Sequence, residues 1–377
     1  MGKGPEGQGL DLRDLARRIK GWARELGFQR AGIAGVDLEE PYGRRLRQWL
    51  AEGRHGEMGW MARHGSRRWR PAELVPGTLR VISVAMDYWP GTAREPWSVL
   101  RDPKLGYLSR YALGRDYHKV LRGRLRRLAA RIQEAVGPFG HRVFVDSGPV
   151  LEKPLAEQAG LGWIGKHTNL IHPRAGSWCF LGELLVDLPL PVDRPATAHC
   201  GSCTACITAC PTGAIVAPYR LDARLCISYL TIEHPGPIPE PLRPLMGNRV
   251  YGCDDCQLVC PWNKFARPTP VADFLPRHGL DAPRLAALLD WDEATFLHRT
   301  EGMALRRLGH ERWLRNVAVA LGNAPPDPRA REALRRRLAH PSALVREHVR
   351  WALDRQAGRL SGAGRSSGNA PGSAAAR

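Results

Sequence analysis

The run Cys200-Gly-Ser-Cys203-Thr-Ala-Cys206-Ile-Thr-Ala-Cys210-Pro211 is answered later in the chain by Cys253-Asp-Asp-Cys256-Gln-Leu-Val-Cys260-Pro261. Eight of the nine cysteines lie between Cys200 and Cys260. Two gaps of two residues, a gap of three and a closing Cys-Pro make the spacing that holds cubane iron–sulfur clusters, with the fourth thiolate crossing to a second cluster. The second run lacks its first cysteine, because Val250 stands in that place. Cys226, in the insertion between the runs, supplies the replacement. The spacing assigns Cys200, Cys203, Cys206 and Cys260 to one 4Fe–4S cluster, and Cys210, Cys226, Cys253 and Cys256 to the other.

Zinc and disulfides are the competing uses of such cysteines. Paired Cys-x-x-Cys units do bind zinc, but zinc takes four ligands per ion and has no need of the Cys-Pro ending. Disulfides require export. Arg17-Arg18 is followed by Ile-Lys-Gly-Trp-Ala-Arg-Glu rather than an apolar core, so it is not a twin-arginine signal. No apolar run approaches the ~18–20 residues of a membrane helix. The expectation is a cytoplasmic protein with no membrane partner.

The chain has 377 residues, 43% hydrophobic and 25% charged, enough for two or three domains with ordinary cores. Its formal charge is +19, from 56 basic against 37 acidic residues. That excess points to a polyanion such as nucleic acid. An arginine-rich composition would inflate the basic count, since only seven of those residues are lysines, yet it would not by itself unbalance acid against base.

Leu12, Leu15, Ile19, Trp22 and Leu26 mark one face of a first helix. Arg80 to Met86 reads as a buried strand between Pro-Gly pairs, Tyr117 to Val136 as a long basic helix, His141 to Val145 as a strand, and Trp178 to Asp187 as an apolar strand. Alternating helices and strands predict an α/β (α+β) domain over 10–195. A ferredoxin-like domain over 196–265 follows a proline-marked linker. Helices then fill 266–358, where paired helices carrying Leu334, Leu338, Val345, Val349 and Leu353 read as a HEAT-like repeat. The Gly/Ser/Ala-rich tail, 359–377, reads as disordered. No Walker loop and no Gly-x-Gly-x-x-Gly after a strand is present, so nucleotide-driven chemistry is unsupported.

Three segments resemble the epoxyqueuosine reductase family. They are Asp146-Ser-Gly-Pro-Val-Leu-Glu-Lys-Pro-Leu-Ala-Glu-Gln-Ala-Gly-Leu-Gly-Trp-Ile-Gly-Lys166, Gly106-Tyr-Leu-Ser-Arg-Tyr-Ala-Leu-Gly-Arg-Asp-Tyr-His118, and Tyr251-Gly-Cys-Asp-Asp-Cys-Gln-Leu-Val-Cys-Pro-Trp262. The likeness runs in order over about residues 10–355. It implies reduction of the epoxide of epoxyqueuosine to the alkene of queuosine at the tRNA wobble position. It also implies a cobalamin beside two 4Fe–4S clusters, HEAT-like C-terminal helices, and Asp146 as proton donor. Removing an epoxide oxygen needs two electrons and a protonated leaving oxygen, hence a two-electron carrier and an acid held near neutral. The plain alternative for Asp146 is the turn that Asp-Ser-Gly-Pro forms readily.

Asp116-Tyr-His118-Lys-Val-Leu121 imitates the base-off cobalamin signature but has Leu121 where glycine is needed, so His118 is rejected as a cobalt ligand. Cys179, inside an apolar strand, reads as a small buried hydrophobe. The expected corrin contacts are Asp146, Arg68, Leu170, Leu181, Ser228 and Asp254. For the tRNA anticodon stem-loop the candidates are Arg306, Arg307, Arg312 and Arg315, with Arg335 and Arg336 behind them. Trp262 and Tyr251 are read as core packing before base stacking. An external low-potential donor feeds the clusters of a monomeric enzyme. The rival readings are a cobalamin-dependent reductive dehalogenase, which would be exported, and a non-catalytic iron–sulfur electron carrier, which would not need the first 190 or so residues.

Overall fold

The strand Arg80–Asp87 is buried along six of its eight residues, and it is the middle of the N-terminal layer. The computed structural model describes residues 11–359; the expected disordered tail lies outside them, apart from its first residue. Arg80–Asp87 pairs with Arg30–Ala34 on one side and Cys179–Val186 on the other, and His141–Phe144 closes the far edge. Every pairing is antiparallel, so the layer is α+β and the α/β alternative is set aside. Both faces of the sheet are covered. Ile82, Val84 and Met86 join a core with Leu15 and Ile19 of the Leu12–Glu25 helix and Leu121, Leu125 and Leu128 of the Tyr117–Val136 helix. Val81 and Ala85 point the other way, toward Leu38, Leu155 and Leu185. Period-two alternation thus splits one uniformly apolar strand between two cores.

The Tyr117–Val136 helix starts where expected because Asp116 caps it, its carboxylate accepting the His118 amide at 3.1 Å. It ends at Gly137, whose φ of +81° no β-carbon tolerates well. Arg126 and Arg127 lie on its exposed face.

The short helices Ala205–Ala209 and Asp255–Leu258, each carrying cysteines, pack against one another. The insertion between the cysteine runs is core rather than loop. Its Ala223, Ile227, Leu230, Ile232 and Met246 share one hydrophobic cluster with Leu108 and Leu113 upstream and Trp313, Val317 and Val349 downstream. Tyr107–Leu108 and Arg249–Tyr251 form a short parallel pair that ties the same regions together.

Residues 261–308 form short helical turns, including Leu285–Leu289 and Glu293–Arg299, before three longer helices at His310–Asn323, Pro328–Arg336 and Ala343–Gln356. Leu334, Val345 and Val349 are buried as expected. Leu338 is 38% exposed, because the helix stops at Arg336 and the chain turns away before reaching it. The first and third of these helices approach closely at Gly322. A β-carbon there would lie 2.5 Å from the Trp351 ring and 2.9 Å from the Ala352 backbone.

Arg315 departs from the expectation of a phosphate-binding residue. It is completely buried, and its guanidinium donates to the carbonyls of His234 at 2.8 Å, Gly236 at 2.7 Å and Leu230 at 2.7 Å. Helical spacing turns position 315 toward the insertion, and Asn316 adds bonds to Thr231 and Val250 carbonyls. Arg312, half-buried, likewise donates to the Leu308 and Ile232 carbonyls at 2.8 and 2.9 Å. Both side chains fasten the helical layer to the cluster-bearing insertion.

Two stability measurements follow. Gly322→Val overpacks the helix contact and is expected to destabilise by about 1–3 kcal/mol in denaturant unfolding. An unchanged midpoint would show that the two helices are not in that contact. Arg315→Leu leaves carbonyls dry at about 1–3 kcal/mol each. It is expected to lower the melting temperature without changing the salt dependence of RNA binding; a reduced salt slope at unchanged stability would return Arg315 to the surface.

Candidate active site

Asp146 follows the edge strand His141–Phe144 and takes a left-handed backbone, φ +48°, which is unusual outside glycine. Three neighbours hold it there. The Tyr117 hydroxyl donates to Asp146 Oδ2 at 2.5 Å, and His118 Nε2 lies 3.0 Å from the same oxygen. Glu152 Oε1 accepts the Asp146 amide at 2.6 Å. Asp116 fixes the other side of the imidazole, its Oδ1 2.8 Å from His118 Nδ1. Tyr117 is itself stacked flat on Phe180 of the central sheet, centroids 4.2 Å apart and planes within 2°. The residue pair that opens one helix therefore clamps the carboxylate that ends one strand.

The electrostatics are those of a linked set. Burial works to raise the Asp146 carboxyl, but the His118 and Tyr117 hydrogen bonds outweigh it and hold the group below the ordinary aspartate value. Burial works to lower His118, and its hydrogen bonds with Asp116 and Asp146 overcome this, bringing it up to about 9. Burial, helped by the Asp146 charge, pushes Glu152 up to about 8. These hydrogen bonds favour a charged Asp146 beside a protonated His118 over the near-neutral acid expected from burial alone. Asp146 keeps 49% of its side-chain surface open, and that surface faces a cavity.

That cavity has a volume of about 440 Å³. Phe180 and Leu181 near the start of the Cys179–Val186 strand, Leu170, Ser228 and Asp254 all line it, as do Tyr117, His118, Asp146 and Glu152. Cys210, Cys226, Cys253 and Cys256 line it as well. A second cavity, about 310 Å³, is lined by Cys200, Cys203, Cys206 and Cys260. The two predicted sets of four are thus gathered around two separate spaces, with His167 lining both. All nine cysteines are free thiols. Among the described residues no three ligating side chains converge as tightly as a single metal ion requires. Four thiols spread around a cavity suit a cube of iron and sulfide instead. Burial raises the Cys206, Cys226, Cys253, Cys256 and Cys260 thiols, a penalty that a cationic iron centre removes. Lys166 shapes the first loop by donating to the Gly201 and Cys203 carbonyls at 2.6 and 2.9 Å.

Other expected residues fall differently. Arg68 does not line the cavity. A short turn over Gly65–Arg68 carries it inward, where it is buried against Trp60 and donates to that residue's carbonyl at 2.6 Å. Asp254 is at the wall but committed: it accepts from the Tyr107 hydroxyl, the Ser109 hydroxyl and the Arg110 amide at 2.8, 2.5 and 2.8 Å. Cys179, expected as a core hydrophobe, is half-buried at the start of its strand and lines the cavity. Tyr251 is fully buried, and Trp262 packs edge-on to Trp163 at 4.9 Å. Arg307 pairs with Glu233 and lines both the cavity and a groove at its mouth, where exposed Arg306 and Lys119 also lie. Arg336 is exposed and paired with Asp290, and exposed Arg335 lies beside Glu332. Tyr117 and Glu152 do not stand out in the sequence, although each lies inside a segment that carries the family resemblance.

Comparison with known proteins places this arrangement. Residues 68–147 match the family model described as "Epoxyqueuosine reductase QueG, DUF1730", and residues 199–263 match the "4Fe-4S double cluster binding domain". The chain is 63% identical to an epoxyqueuosine reductase of Xanthomonas campestris over 91% of its own length and 96% of that protein's. It is 60% identical to that of Escherichia coli over 92% and 91% of the two chains. A crystal structure of epoxyqueuosine reductase with an epoxyqueuosine-modified tRNA-Tyr stem loop superposes with a TM-score of 0.85 at 28% identity, over 92% of this chain and 91% of that one. The structure from Streptococcus thermophilus superposes at 0.83 with 27% identity, covering the same shares. On relatives of this identity and coverage, the chain belongs to the epoxyqueuosine reductase family.

Proposed function

We propose that this protein reduces the epoxide of epoxyqueuosine, at the wobble position of tRNA, to the alkene of queuosine. The observation that carries the reading is one shared cavity, lined both by a clamped carboxylate–histidine pair and by four cysteines. We assign Cys200, Cys203, Cys206 and Cys260 to one 4Fe–4S cluster and Cys210, Cys226, Cys253 and Cys256 to the second. A cobalamin would be held against the lining of this cavity. Leu170, Leu181 and Phe180 supply apolar surface, Ser228 and Asn169 polar edges. Both nitrogens of His118 are engaged, which suits a corrin held without a histidine ligand. When bound, the clusters would supply one-electron transfer from an external low-potential donor, and the cobalamin would supply the two-electron chemistry that the substrate needs.

The remaining work falls to the chain's own groups. Asp146 faces the substrate and delivers a proton to the oxygen that leaves. Tyr117 and Glu152 fix its carboxylate and its amide. The wobble nucleotide has to leave its stack to enter the cavity, as bases do in enzymes that act on them. Lys119, Arg306 and Arg307 at the mouth neutralise flanking phosphates. The C-terminal helices act as a HEAT-like support behind this mouth, and division near 195 and 265 describes the three working parts.

The decisive experiment follows an epoxyqueuosine-containing anticodon stem-loop by mass spectrometry, with reconstituted protein, cobalamin and low-potential reductant. Loss of one oxygen mass is expected; its absence in the wild type would sink the function. Asp146→Asn is expected to slow the single-turnover rate by about 10²-fold or more. Cys226→Ser is expected to lower the iron content from that of two four-iron clusters toward one, and an unchanged iron count would remove Cys226 from the ligand set. Changing Lys119 and Arg306 to alanine is expected to weaken stem-loop binding and flatten its salt dependence by about 0.7–0.9 of a log unit for each phosphate no longer neutralised. Binding as tight and as salt-sensitive as wild type would place the RNA elsewhere.

A further inference from the structure

Turning an epoxide into an alkene breaks both carbon–oxygen bonds, forms the second carbon–carbon bond, and releases the oxygen as water. The balance is two electrons, from the external low-potential donor, and two protons. One carboxyl delivers one proton per cycle. The cavity wall, however, carries three linked titratable groups: Asp146, His118 and Glu152. Resting on the epoxide-reduction reading above, we propose that His118 and Glu152 are the two proton stores of the reaction, with Asp146 the carboxylate through which the His118 proton reaches the departing oxygen.

The geometry supports the division. His118 is suspended between two carboxylates, Asp116 at Nδ1 and Asp146 at Nε2, so a proton moving onto Asp146 Oδ2 crosses a single 3.0 Å contact while Asp116 steadies the ring. Glu152 approaches Asp146 from the other side, through the backbone amide rather than the side chain, so one of its oxygens remains for a proton of its own. The groups around His118 are Asp116, Asp146 and Tyr117, with Lys119, Arg306 and Arg307 in the groove alongside. Around Glu152 they are Asp146, His118, Lys153 and the buried Glu183. Glu183 is held neutral by burial, and its Oε1 accepts from Ser83 at 2.9 Å. With His118 raised to about 9, Glu152 to about 8 and Asp146 lowered, the set holds two protons at neutral pH, neither of them resting on Asp146. That number equals the demand of the reaction. The first proton passes from His118 through Asp146 to the opening epoxide oxygen. The second, from Glu152, completes water as the alkene forms. Both stores refill from solvent through the groove.

The test has two arms. In the cofactor-free chain, ring ¹³C or ¹⁵N NMR is expected to show His118 titrating near 9, and at least one unit lower in Asp146→Asn. Titration at or below the ordinary histidine value of about 6.5 overturns the proposal. In the second arm, single-turnover rates of the loaded enzyme on the modified stem-loop are measured from about pH 6 to about pH 10. The protonated forms are the active ones, so the wild-type rate is expected to fall as pH rises, in two steps near 8 and 9. Glu152→Gln removes the lower step and leaves one near 9; His118→Gln removes the upper. Each variant is expected to be slowed about 10²-fold with stem-loop affinity within about twofold of wild type. Slower variants with an unmoved pH profile show a merely structural role and overturn the proposal. A wild type that fails to remove the oxygen at any pH defeats the epoxide reading itself; an active wild type with the wrong profile defeats this inference alone.

Discussion

Eight thiols drawn from three separated stretches meet around two spaces, and most of the architecture serves that convergence. Cys226 belongs to neither regular run, so the insertion that carries it has to be as rigid as the runs themselves. It gains that rigidity by being core: Ile227, Leu230 and Ile232 are buried among residues of the C-terminal helices. Arg315, Asn316 and Arg312 then fasten its backbone carbonyls one by one. The helical layer is therefore part of the cluster scaffold, whatever else it contacts. A chain with the same cysteines on a loose loop would lose Cys226 from the lining of the cavity that also holds Asp146.

The same helices show why charge alone is a poor guide to an RNA surface. An arginine in an amphipathic helix serves a phosphate or a ring of dry carbonyls, and composition does not distinguish the two. Here the helical period decides. Arg306 and Arg307 lie in the turn before the His310–Asn323 helix, at the mouth of the cavity, while Arg312 and Arg315 face inward. The excess of basic residues still argues for a polyanion, and Lys119 and Arg306 are exposed in the groove beside the cavity.

Much of the molecule is legible in its sequence for identifiable reasons. The Tyr117–Val136 helix has a strong cap, a regular apolar face and a glycine stop, so its limits can be read directly. The cysteine sets are legible because cluster ligation fixes spacing. The antiparallel sheet is not, because Arg80–Asp87 is buried on both faces and its apolar run carries no alternation from which pairing direction could be inferred. Arg68 and Arg315 mislead in the sequence because burial of a charged side chain depends on partners brought from far along the chain. The Asp116-Tyr117-His118 segment reads on its own only as a failed cobalamin-binding signature. What it does instead depends on Asp146, 28 residues away, and only the fold supplies that contact.

The strained backbone at Asp146 belongs to the same logic. A left-handed conformation costs a non-glycine residue about 1–2 kcal/mol. It persists because the hydrogen bonds from Tyr117 and to Glu152, together with the contact to His118, over-determine it. Of these, two are side-chain contacts at one oxygen, Oδ2, and the third is at the amide. Asp146 Oδ1 takes part in none of these contacts. A proton taken from His118 sits on Oδ2, so delivering it forward requires the carboxyl group to turn that oxygen toward the cavity. Clamp and charge thus point to the same arrangement: Asp146 serves as a conduit rather than as a reservoir.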